Sequence, residues 1–158
     1  LNTSPALVDA QVSGATDELA AHEIHARALE APEPHFESVV ESRLQSLRDK
    51  AGTSLVSHSP TEIVVAAASG RVDTLFLDDG TGPFGTFDRD TLTVDSLCAD
   101  APRLLREGPP PEDAASGAEC GWDLVDLAAA ETALHGGEVI GFTGEDAPVR
   151  GVAALMRY

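Results

Sequence analysis

Apolar residues in the first third of the chain recur at three- and four-residue steps. In TDELAAHEIHARALE, residues 16–30, Leu19, Ala20, Ile24, Ala28 and Leu29 lie near one helical stripe, which Pro32 and Pro34 interrupt. A stronger amphipathic helix is predicted in HFESVVESRLQSLRDKAG. There Phe36, Val39, Val40, Leu44, Leu47 and Ala51 repeat with helical period, and Gly52 offers a C-terminal cap. That stripe is expected to be core.

A short extended piece at 55–57 leads into SPTEIVVAAASGRVDTLFLDDG, residues 59–80. Ser59 is placed to accept from first-turn amides, Pro60 fits the first helical position, and Glu62 follows three after the cap, as in a capping box. The helix is apolar on most sides and stops at Gly70. Val72 to Leu77 then read as a short strand buried on both faces, a pattern typical of parallel sheets.

From residue 78 to 121 the texture changes to DDGTGPFG, FDRDTLTVDS and REGPPPEDAASGAECG. The triple proline and its polar surroundings predict a flexible excursion, with room for a hairpin or short edge strands. Order resumes at WDLVDLAAAETAL, a helix capped by Gly136 and Gly137. EVIGF follows as a strand, DAP as a turn, and GVAALMRY as a terminal strand. Helices alternating with nearly continuous apolar strands predict an α/β fold, a three-layer α/β/α sandwich with a mixed, mostly parallel central sheet. Residues 1–34 are expected to be a helical extension or interdomain segment and 35–158 the domain, with its excursion at about 79–121.

The chain has 27 acidic against 10 basic residues, a formal charge of −17. Such a surface repels phosphate backbones, so direct nucleic-acid binding is not expected and protein partners are favoured, particularly those with basic patches. No run approaches the apolar length of a membrane helix, and the N-terminus lacks a signal-peptide pattern, which predicts a cytoplasmic protein without membrane contact. Cys98 and Cys120 have neither CxxC nor metal spacing and read as reduced thiols. A chain that starts at Leu1 fits a piece of a longer protein.

Candidate chemistry is sparse. His22 and His25 are three apart on one helical face, not four as in HExxH, and read as a polar stripe. Asp78, Asp79, Asp88 and Asp90 beside glycines suggest divalent-cation ligands but lack an EF-hand spacing, so acidic turns are the expectation. GTGPFG precedes no helix, and His135-Gly136-Gly137-Glu138 reads as a helix cap rather than a catalytic loop.

TEIVVAAASGRVDTLFLDD, with DLVDLAAAETALHGGEVIGF and the closing AALMRY, resembles the third domain of archaeal and eukaryotic peptide-chain release factors. It is more similar still to that domain in their bacterial relatives, from about Phe36 to Tyr158 apart from the middle of the chain. The resemblance implies the fold of ribosomal proteins that bind kinked RNA. Where those carry an Asn-Glu pair and a downstream lysine, this chain has Thr61, Glu62 and Val65, which argues against that RNA contact. It also implies a non-catalytic adaptor that docks on the ribosome or a translational GTPase, in a release, rescue or dormancy role. No cofactor or metal is expected, and the peptide-releasing loop of such factors belongs to a different domain. For partner contact the expected residues are Asp78 and Asp79 in the acidic loop, with Phe84 and Phe87 as apolar anchors. A metal-dependent hydrolase using clustered carboxylates, or a purely oligomeric module joined through the 36–47 helix, are the alternatives.

Overall fold

A computed structural model describes residues 19–80, 82–98, 122–145 and 147–158. They fall into two compact units divided between Ser46 and Leu47.

The first unit holds α1 (Ala21–Glu30) and most of α2 (Glu33–Asp49). Glu23 Oε2 accepts from the Ala20 amide at 2.9 Å and closes the first turn of α1. Pro32 falls in the break between the helices. Pro34 sits in the first turn of α2, where its missing amide costs nothing. No residue of α1 is buried. Along α2, Phe36 is 58% exposed, Val39 and Val40 are half-buried, and Leu44 and Leu47 are buried. Of the stripe expected to be core, only Leu44 and Leu47 are buried, and Ala51 beyond the helix is exposed.

The second unit contains β1 (Val56–Ser57), α3 (Pro60–Ala68), β2 (Val72–Leu77), β3 (Phe84–Asp88), β4 (Thr93–Cys98), β5 (Trp122–Asp123), α4 (Leu124–Leu134), β6 (Glu138–Gly141) and β7 (Val152–Met156). Sheet A has the order β1-β7-β2-β6, and sheet B the order β4-β3-β5. Among these strands of sheet A only β2 and β6 run parallel; β7 is antiparallel to both β1 and β2. The fold is α/β with a mixed sheet, and the expectation of a mostly parallel one is corrected. The apolar β7 is buried at all five positions because it is a central strand covered on both faces, not because it is parallel.

One face of sheet A presents Val72, Leu75, Val152, Ala154 and Met156 to Ile63, Val64, Ala66 and Ala67 of α3 and Leu127 and Ala128 of α4. Both helices therefore lie on that face. Phe87 and Val94 of sheet B pack against the same cluster, so on this side of sheet A the helix pair lies between the two sheets. The opposite face of sheet A carries Thr74, Phe76, Ala153 and Leu155, all buried, with Phe142 stacked on Phe76 at a centroid distance of 6.4 Å.

The expected flexible excursion begins as an ordered antiparallel hairpin of β3 and β4. Its remainder, with the triple proline and Cys120, lies outside the described residues.

The helix stops behave as their glycines predict. Arg71 N donates to Ala66 O and Gly70 N to Ala67 O, while Gly137 N donates to Thr132 O and Gly136 N to Ala133 O. These are two Schellman motifs, with Gly70 at φ +68° and Gly136 at φ +71°. The Arg157 guanidinium joins them, donating to Gly70 O at 3.2 Å and to His135 O at 3.1 Å. A cation at two helix C-termini meets the negative end of both dipoles and is stabilising there. The start of α3 departs from the expected capping box. Ser59 Oγ pairs with Thr61 Oγ1 at 2.9 Å, and Glu62 Oε2 accepts from Ser57 Oγ at 2.7 Å, so neither side chain caps the backbone as predicted. Among the described residues no helix is long and apolar enough to cross a membrane.

Candidate interaction surface

The residues singled out from sequence lie at and beyond the end of β2. Asp78 is a clasp rather than a free carboxylate: Oδ1 accepts from Gly80 N at 2.9 Å and Oδ2 from Gly151 N at 2.8 Å, while its own amide donates to Gly151 O at 3.0 Å. The chain entering β7 is thereby tied to the chain leaving β2. The Gly151 and Gly80 amides hold the Asp78 carboxyl below its ordinary pKa of 3.8, with help from Arg150. Asp88 behaves alike, lowered by the amides of Thr91 and Asp90 inside the β3–β4 turn.

A folded-state pKa below the unfolded one adds stability above the unfolded value and loses it as pH falls through the folded value. Both clasps are thus expected to hold at neutral pH and to open only below pH 3.8. Amide exchange at Gly151 and Thr91, followed by NMR down an acid titration, checks this. Accelerated exchange already at pH 5 would contradict it.

Asp79 is exposed and Phe84 half-buried. Phe87 is likewise half-buried and packs on the core cluster where the hairpin folds over the helix pair. Nearby, His58, Pro60, Asp78, Pro83, Val125 and Arg150 help line a cleft of about 210 Å³. Among the described residues no three His, Cys, Asp or Glu side chains converge as metal ligands would.

A larger groove, of about 680 Å³, opens elsewhere in this unit. Its walls are β1, the outer side of α3 and the start of β4, contributing Val56, Val65, Ala66 and Val94, with Met156 from β7. Glu62 and Arg71 supply one acid and one base. Among the described strands, β1 and β4 stand at the edges of their sheets. Leu92 stands in the lining at φ +54°, a left-handed conformation that its side chain disfavours, and is 36% exposed.

No protein-family model matches the sequence, nor does any of the curated proteins compared with it. Among solved structures, the chain is similar to a chain of the ribosome-bound archaeal Pelota and ABCE1 assembly, at 19% identity and a TM-score of 0.45. That match covers 95% of this chain and 34% of the other, so the chain spans about a third of its length. A likeness of this size carries no functional weight.

The groove was not foreseen from sequence. Its one local signal is Leu92 in DRDTLT, where a four-residue hairpin loop calls for Gly or Asn at the left-handed position. A large aliphatic residue there breaks a local rule, as residues at functional sites often do.

Proposed function

We propose that this chain is a non-catalytic, protein-binding domain of a release-factor-like, translation-associated protein, with the groove of β1, α3 and β4 as its docking face. The translation assignment rests on the sequence resemblance carried by the 61–79, 123–142 and 153–158 segments. The docking assignment rests on Leu92, an aliphatic side chain held in a strained backbone at the lip of an apolar groove. Strain at this position serves presentation: a residue with a free choice of backbone would be Gly or Asn. The partner by this account is the ribosome or a translational GTPase bound to it, reached through protein surfaces because the charge of −17 opposes RNA.

Co-sedimentation of the chain with ribosomes across a salt series tests the proposal, using Leu92→Asn as the variant. Asn tolerates the left-handed region, so its folding stability is expected to be unchanged or higher by up to about 1 kcal/mol. Ribosome retention is expected to fall. Absence of co-sedimentation by the unaltered chain at low salt would overturn the translation assignment. Equal retention of Leu92→Asn would overturn the groove.

A further inference from the structure

We infer that the elbow between α1 and α2 is a docking site for a basic amphipathic segment of a partner protein. This surface lies in the first unit, and its lining shares no residue with the groove of the second. Leu29, Phe36 and Val40 line a shallow cleft of about 580 Å³ together with Glu30, Glu33 and Glu37. Leu29 is 62% exposed and Phe36 58%, so the two largest apolar side chains of the elbow stand in water. The His35 ring meets Phe36 edge-on at 5.8 Å, which steadies one side of the aromatic.

The glutamates define the occupant. Glu33 and Glu37 are one helical turn apart, a like-charge spacing that disfavours the helix by itself and is relieved by a cation bridging them. Glu30 adds a third negative group at the rim of the same cleft. An apolar floor with an acidic rim complements a helix that carries Leu or Ile on one face and Lys or Arg beside it. A second copy of this chain would bring the same glutamates and another charge of −17, and a nucleic acid would bring phosphates, so both are repelled. The 36–47 stripe thus has two roles along its length: its C-terminal half is core, and its N-terminal half awaits a partner.

The test uses the whole chain and a fluorescent amphipathic peptide of leucine and lysine, about five helical turns long, followed by anisotropy from low to high salt. Saturable binding that weakens with salt is expected. Phe36→Ala, which changes no charge, is expected to weaken it about tenfold, and Leu29→Ser to do the same from the other helix. Glu33→Gln with Glu37→Gln should weaken binding at low salt and flatten its salt dependence. Unchanged circular dichroism in each variant separates these losses from unfolding, as expected for exposed positions. Binding by Phe36→Ala and Leu29→Ser as tight as by the unaltered chain, or a leucine–glutamate peptide bound as well as the leucine–lysine one, would overturn the inference. So would self-association of the chain that Phe36→Ala abolishes, since the occupant would then be a second copy.

Discussion

Gly137→Ala is expected to destabilise the second unit by about 2–3 kcal/mol, the upper part of the roughly 1–3 kcal/mol that forcing an extra methyl into a packed site costs. Its neighbour Gly136→Ala should cost only about 1 kcal/mol. The two glycines are adjacent in one Schellman cap, yet they are there for different reasons. Gly136 adopts φ +71° in open space, so alanine there meets only the left-handed backbone penalty. At Gly137 an added Cβ would fall 2.6 Å from Thr132 Cγ2, 2.9 Å from Val72 O and 3.2 Å from Asp73 O. Thr132 is buried in α4, and the two carbonyls belong to β2. The chain leaving α4 thus passes against the β2 backbone just before β6 pairs with β2, starting from Thr74 opposite Glu138. Urea unfolding of the two variants checks the order of effects. Thr132→Ser in the Gly137→Ala background removes one of the clashing atoms and should restore part of the loss. Full restoration would show that the β2 carbonyls give way, and equal cost at both glycines would contradict the steric account.

These stops were legible in the sequence because a helix cap is local: Gly70, Gly136 and Gly137 each follow an apolar helix and precede an apolar strand. Strand direction was not, because β7 and β2 are covered on both faces in either orientation, and burial alone produces the continuous apolar pattern of VAALM and VDTLFL. The clasp at Asp78 was visible only as an acid beside glycine; that its partner is the Gly151 amide depends on a pairing 73 residues away. The inward packing of Phe87 was not legible because the residues after it, DRDT at 88–91, are polar. Its side chain finds the helix pair once the hairpin closes, and the polar neighbours stay outside. Leu92 carried a readable signal, an aliphatic residue in a loop that wants Gly or Asn, but the groove behind it is assembled from β1, α3, β4 and β7, which span residues 56 to 156.

Glu131 is the clearest case of a residue whose role no local pattern shows. In AAAETAL it reads as the wet side of a helix, yet it is 4% exposed. The β3–β4 loop lies over it: Arg89 Nη2 approaches Glu131 Oε1 to 2.6 Å, and His135 Nδ1 lies 3.9 Å from Oε2. A carboxylate taken from water needs such a partner, because desolvation of an unpaired charge costs several kcal/mol. Arg89→Ala is therefore expected to destabilise the second unit by about 2 kcal/mol. That is below the cost of breaking a fully buried pair, because the Arg89 side chain is 64% exposed and water can follow it in. Glu131→Leu in the Arg89→Ala background should recover most of that loss, since an apolar side chain of similar size suits the site without a charge to satisfy. Chemical denaturation of the single and double variants closes the cycle, and a coupling near zero would mean the pair contributes nothing. The pair also pins the hairpin to α4, so Arg89→Ala is expected to speed amide exchange selectively in β3 and β4 while leaving β2 and β7 protected. Uniform loss of protection across sheet A would instead show that hairpin and core open as one unit.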